Sequence, residues 1–352
     1  MFLESYTHTR NYGCRLRRFF WNGVEMLSLE NSRLKAVVAL GKGADIVELL
    51  YKPLDVDFMW HSFNPLSTGR TQSVASPDGS FLDVYSGGWQ ELFPTYGGRT
   101  LYHGAHLGVH GEACLYPWAC DVVTDEPEEV AVTLSLRMQR TPFKLEKTLR
   151  LTGDRPALQI RETVVNEGTT EQAFLWGQHP AFGVPFLDGS VRIRFPGSPE
   201  VTAPADIPGN RKFFGGDVSG LWPFLADREG KPVDLSRVCG PDAKRCTEFL
   251  VRKLPQGSCE IVNHSLGLGL RMTWDREVFP YVWIWANYAG EEGYPWYGRA
   301  YTLAVEPWST VPGDYERAVQ TGGRLLTLGP NERMETELCT EAFVEPDAGC
   351  GE

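Results

Sequence analysis

Three stretches of this 352-residue chain carry side chains able to move protons or grip a polar ligand. The first runs from Gly87 through Trp89, Gln90 and Glu91 to Arg99, and is followed by His103, His106, His110, Gly111 and Glu112. Three histidines and an acid so close together could hold a metal. However, the spacing H-x2-H-x3-H matches no common zinc pattern, and Gly104 and Gly108 oppose the helix that would align all three rings. In an extended segment His106 and His110 share a face and His103 lies opposite. These histidines either are ordinary hydrogen-bonded loop residues or line a polar cleft without metal. In such a cleft His103, His110, Gln90, Glu91 and Arg99 would bond hydroxyl groups while Trp89 packs on an apolar ring face.

The second stretch is Trp176 to Gly183, in which His179 ends an apolar run and meets Pro180, a residue expected to stop the strand ladder. The third is Tyr301 to Trp308. Alternation puts Thr302, Ala304 and Glu306 on one side and Tyr301, Leu303 and Val305 on the other. A carboxylate ending so apolar a strand would be poorly solvated unless it served a site. The segment Tyr281 to Asn287 likewise gathers Tyr281, Trp283, Trp285 and Asn287 on one face, as core or as cleft wall.

The elements that must position these residues are strands. Period-two alternation recurs in Arg33–Leu40, Ala44–Tyr51, Glu129–Met138, Phe143–Leu151, Ala157–Asn166, Gln172–Gln178, Val191–Phe195, Leu268–Trp274 and the later segments to Leu338, with Gly, Pro, Asn or Asp turns between them. Helical periodicity is nearly absent, so the expected class is all-β, in packed antiparallel sheets. Gly41-Lys42-Gly43 lacks the third glycine and the helix of a dinucleotide fingerprint and reads as a turn. Residues 196–258 are rich in Pro, Gly and charge. They read as a loop-rich excursion from one domain spanning 1–352, bordering the site as a lid.

The 34 basic and 45 acidic residues leave a net charge of −11, which argues against nucleic acid or an anionic membrane as partner. No apolar run reaches 18 residues, and the start of the chain lacks the apolar region of a signal peptide. The eight cysteines are scattered without a C-x-x-C pair, so free thiols in the cytoplasm are expected.

His110-Gly111 after the early strands, His179-Pro180-Ala181-Phe182 in mid-chain and Glu306-Pro307 late, ahead of a last strand introduced by Leu328-Gly329-Pro330-Asn331-Glu332, keep the order and spacing of one family. With them the chain resembles the aldose 1-epimerases, or galactose mutarotases, over most of its length. The resemblance implies an antiparallel β-supersandwich of the galactose mutarotase type and a small-molecule sugar as partner. It also implies a cofactor-free interconversion of α and β anomers. By the same resemblance His179 would be the general acid and Glu306 the general base. His110 would contact the sugar, with His103 as the alternative. Gln90, Glu91 and Arg99 stand where classical members carry an Asn-Arg pair, and Asp275 is no motif match for their sugar-gripping aspartate, so the branch is a divergent one. A non-catalytic carbohydrate-binding or sugar-sensing protein on the same scaffold is the main alternative, and an epimerase at another carbon or a lyase is the third. For the enzyme, a carboxylate beside an imidazole is expected to raise the histidine pKa and favour a charged pair near neutral pH.

Overall fold

The computed structural model describes residues 10–67, 80–95, 97–311, 315, 320 and 324–345. Strands make up 52% of it and helices 6%, which settles the all-β class. Two antiparallel sheets dominate. The larger has twelve strands, in the order Arg15–Trp21, Val24–Glu30, Leu34–Ala39, Asp45–Tyr51, Trp89–Leu92, Gly177–Phe182, Tyr301–Trp308, Tyr281–Tyr288, Arg245–Arg252, Glu200–Ala203 and Val218–Leu221, with Val56–Asp57 paired beside Asp45–Tyr51. The smaller has eight, from Val191–Arg194 through Ser258–Asn263, Leu268–Trp274, Arg333–Val344, Ala157–Asn166, Phe143–Thr152 and Glu129–Arg137 to Ala119–Glu126.

The smaller sheet follows simple alternation. In Phe143–Thr152 the residues Phe143, Leu145, Lys147, Leu149 and Leu151 are buried and those between them are more open. Its inward side chains, among them Leu134, Leu149, Ile160 and Leu270, meet Val38, Ile46, Ile284 and Val305 of the larger sheet in one core. Each such aliphatic side chain contributes roughly 1.5–3 kcal/mol on burial.

The central strands of the larger sheet behave differently. Gly177–Phe182 is buried throughout, and Tyr281–Tyr288 and Tyr301–Trp308 are buried at every residue but the first. One face of these strands packs on the inter-sheet core. The other is covered by a second cluster built from Trp60, Phe81, Tyr85, Trp283, Trp285 and Trp296. Two-sided burial is why these strands read as continuous apolar runs. It also makes the second face a place where a polar side chain has little water.

Residues 196–258, expected as a loop-rich excursion, carry short regular elements among their turns. They supply three strands of the larger sheet, Glu200–Ala203, Val218–Leu221 and Arg245–Arg252, and the helix Pro208–Phe214. The helix starts on Pro208, whose missing N–H is no loss in the first turn, and ends at Gly215 with φ +86°. The Pro and Gly residues punctuate short elements here.

Candidate functional site

Register alone brings the two proton-carrying candidates together. Gly177 pairs with Trp308, Ala181 with Ala304 and Phe182 with Leu303, which sets His179 directly across from Glu306. Directly opposed residues of antiparallel strands share a face and hold their Cβ atoms about 5 Å apart. The row continues to Gln90 beside His179 and to Trp283 beside Glu306. Pro180 does not end its strand, because Gly177–Phe182 runs through it and Pro180 pairs with Trp89. It and Pro307 each remove one donor from the stretch between the His179 and Glu306 strands.

His179 is 5% exposed and Glu306 2% exposed. His179 Nε2 lies 3.5 Å from Glu306 Oε1. The Tyr85 hydroxyl is 3.3 Å from His179 Nδ1, and Trp308 Nε1 donates to Glu306 Oε2 at 3.1 Å. Trp308 can lie there only because its cross-strand neighbour is Gly177, where a Cβ would meet the indole at 2.3 Å. The His110 ring is 5.5 Å from that of His179, centroid to centroid, and packs edge-on to Phe81 at 4.4 Å. Trp285 stands 6.1 Å from His179, and Trp60 and Trp296 complete a wall at 6.1 and 5.2 Å from Trp285.

Burial governs the protons of this site. It pushes the Glu306 carboxyl well above its ordinary range, against the Trp308 hydrogen bond, with Glu248 adding to the rise. It lowers His179 to about 4. His110 is lowered well below the usual imidazole range by burial and by His179. The expected rise of the His179 pKa beside a carboxylate is therefore reversed: desolvation dominates, against a backbone hydrogen bond that raises it. Neutral acid with neutral imidazole, and carboxylate with imidazolium, carry the same zero net charge, and burial selects the former. Tyr85 keeps its proton, since burial, Glu306 and Asp45 all raise it far above the normal phenol range.

The remaining sequence candidates divide by strand face. Gln90 points to the His179 side but is fully buried, donating to the Gly87 carbonyl at 2.6 Å. Trp89 and Glu91 point the other way, as alternation requires, and neither reaches the cleft. Trp89 joins the inter-sheet core and donates to Gln178 Oε1 at 2.8 Å. Glu91 pairs with buried Lys147 at 2.6 Å, and Gln178 Nε2 bridges Glu91 and Glu162 at 3.0 Å each. Burial opposes ionisation of Glu91, yet Lys147 holds its carboxyl below the ordinary value, while burial and Glu91 push Glu162 well above.

His103 occupies the exposed tip of the hairpin formed by Thr100–Tyr102 and Ala105–Leu107, with φ +45°, and packs on Tyr102. Arg99 is exposed on the run into that hairpin. His106 is exposed as well, so the three closely spaced histidines diverge. Asn287 shares the face of Trp283 and Trp285 but pairs with Thr302, four residues and so about 14 Å along the strand from Glu306. Its amide donates to Glu291 at 3.3 Å.

Several residues of the site escape sequence reasoning. Trp60, Phe81, Tyr85 and Trp296 come from turn-rich stretches, where aromatic density was the available signal. Trp308 is two residues past Glu306, so alternation alone puts it on the same face. Glu248 faces the cleft beside Trp285, and burial with Glu291 raises it to about 7. Lys42 and Asp45 form a buried ion pair, with the ammonium 6.0 Å over the Phe81 ring.

Residues 21–211 match a protein-family model described as a domain of unknown function, DUF4432. The chain belongs to this family. No curated protein matches it. Among solved structures, the chain is similar to a candidate aldose 1-epimerase from Klebsiella pneumoniae subsp. pneumoniae MGH 78578, at 14% identity and a TM-score of 0.73, covering 95% of this chain and 88% of that one. A candidate mutarotase from Salmonella typhimurium matches at 16% identity and a TM-score of 0.63, over 94% of each chain. A galactose mutarotase-like protein from Lactobacillus casei ATCC 334 matches at 17% identity and a TM-score of 0.57, over 90% of this chain and all of that one. At such identities the likeness is one of fold. This DUF4432 chain has the galactose mutarotase fold, on a divergent branch. Among the described residues no helix is long and apolar enough to cross a membrane.

Proposed function

We propose that this protein is an aldose 1-epimerase-type isomerase that opens and recloses the ring of an aldose between His179 and Glu306. The observation that carries the reading is the buried cross-strand pair itself, with Nε2 and Oε1 3.5 Å apart at the foot of an aromatic wall. A binding site has no need of two proton carriers in contact, whereas acid–base catalysis requires them within reach of the same atoms. Trp285, Trp296 and Trp60 offer ring faces for the apolar side of a pyranose.

In the resting arrangement Glu306 holds its proton towards His179 Nε2, and Nδ1–H donates to the Tyr85 hydroxyl. With an aldose bound, neutral His179 takes the proton of the anomeric hydroxyl, and the O–H electrons form the C1=O1 bond. The bond from C1 to the ring oxygen breaks, and that oxygen takes the proton of Glu306. An imidazolium and a carboxylate remain, still of zero net charge. After rotation about C1–C2, closure on the other face returns one proton to O1 from His179 and one to Glu306 from the ring hydroxyl. The opening step thus starts with Glu306 as acid and His179 as base, the reverse of the assignment that the resemblance implies. Positioned acid–base groups typically supply 10²–10⁴-fold each.

Polarimetry of freshly dissolved aldoses, with and without the full chain, tests the reading. Accelerated approach to the anomeric equilibrium for at least one aldose is expected. Binding of sugars with no acceleration for any of them would leave a carbohydrate-binding protein and overturn the enzyme.

A further inference from the structure

Beside the site lies a cavity of about 600 Å³ between the helix Pro208–Phe214, the start of the strand Arg245–Arg252 and residues 290–292. Two glycines let these three pieces close on one another. A Cβ on Gly209 would meet the Cys246 carbonyl oxygen at 1.8 Å, and one on Gly290 would meet the Arg245 backbone at 2.2 Å. The cavity borders the aromatic cleft, since Ile207 and Cys246 line it and also pack against the Trp283–Trp285–Trp296 cluster.

Its charge is unlike that of the rest of the chain. Lys212, Arg228, Lys244 and Arg245 all line it, and none forms an ion pair among the described residues. Arg245 is held in place, its guanidinium 4.5 Å from the Phe213 ring centroid and donating to Cys239 Sγ at 3.2 Å. Its Nε is buried without a hydrogen-bond partner among the described residues. Three acids line the same space, Glu248, Glu291 and Glu292. Four cations against three acids leave the lining net positive in a chain of net charge −11, and burial raises the pKa of Glu248 to about 7 and that of Glu291 above its ordinary value.

Sheet geometry sets the scale. Glu248 lies two strands over and two residues along from Glu306, about 12 Å away. Arg245 is five residues along, about 19 Å away. One pyranose ring cannot reach from the proton-carrying pair to those cations. We propose that the cavity is the far subsite of the same cleft, receiving the acidic end of an anionic oligosaccharide whose reducing-end ring lies between His179 and Glu306. The proposal rests on the catalytic reading for the reducing-end ring alone; the cationic subsite is tested by binding.

Calorimetric titration of the full chain with trigalacturonic acid and with maltotriose separates charge from length. Trigalacturonic acid should bind at least about tenfold more tightly at low salt, with the gap closing as salt rises. Arg228→Glu with Lys244→Glu, both at exposed positions, should collapse the affinity ratio of the two trimers. Equal affinities, or a ratio that survives the double charge reversal, would overturn the subsite. If no aldose is mutarotated while trigalacturonic acid still binds in this charge-dependent way, the catalytic reading fails and the subsite stands. If mutarotation is present and the ratio does not respond to charge, the subsite alone fails.

Discussion

Gly177 touches no substrate in this account, yet Gly177→Ala should damage both stability and proton chemistry. Its new Cβ would lie 2.3 Å from Cδ2 and Cε3 of Trp308. Carbon atoms settle at about 3.5–4.0 Å, so the indole must retreat by roughly 1.2–1.7 Å. Trp308 Nε1 now reaches Glu306 Oε2 at 3.1 Å, and a displacement of that size ends the hydrogen bond. Overpacking costs about 1–3 kcal/mol, and an unmet buried acceptor about 1–3 kcal/mol more, for a total of roughly 2–6 kcal/mol. For a chain of this size the melting temperature should fall by about 3–8 °C. The Trp308 bond also restrains the raised pKa of Glu306, so its loss should move the alkaline limb of activity to higher pH. Calorimetry and a polarimetric pH profile measure both effects. Gly189→Ala, where a Cβ meets nothing within 4 Å, is the control and should stay near wild type. A Gly177→Ala protein with wild-type melting temperature and an unmoved alkaline limb would refute the packing argument and the Trp308–Glu306 contact with it.

The pair needs one exchangeable proton, so the rate should hold from above about pH 4, where His179 becomes neutral, and fall as pH rises through the elevated Glu306 pKa. A pH–rate profile that instead rises through the alkaline range would contradict the neutral pair. Between the sheets, Lys147→Met should destabilise by about 3–5 kcal/mol, because it strands the Glu91 carboxylate in the core. Glu162→Gln should change stability by less than about 1 kcal/mol, since burial and Glu91 already push Glu162 towards its neutral form; urea unfolding compares the two.

Much of the frame was legible because its signals are local. The strands Ala157–Asn166 and Leu268–Trp274 coincide with their alternation patterns residue for residue. His179 and Glu306 stood out as polar residues in apolar runs beside prolines, and the structure sets them in register. Other errors were avoidable. Alternation forbids Trp89 and Glu91 from sharing the face of Gln90. The hairpin of Arg15–Trp21 and Val24–Glu30 was announced by Asn22-Gly23, which turns with φ +51° and +78°. What no local signal carries is depth. Whether a carboxylate raises a neighbouring imidazole, or burial lowers it, depends on how many layers of Trp60, Phe81 and Trp296 close over the pair, and those come from turn-rich segments brought in by tertiary contacts. The same holds for residues 196–258, whose short strands gain their order from pairing beside Tyr281–Tyr288.

Glu306→Gln separates proton transfer from structure, with mutarotation rate, sugar affinity and melting temperature read on the same preparation. Glutamine keeps the size and an acceptor for Trp308 but can neither give nor take the ring proton near neutral pH. The rate should fall by about 10²–10⁴-fold, equivalent to roughly 2.7–5.4 kcal/mol of transition-state stabilisation, with affinity and melting temperature close to wild type. Joint loss of affinity and stability would mark Glu306 as structural, and a fully active Glu306→Gln protein would contradict the mechanism outright.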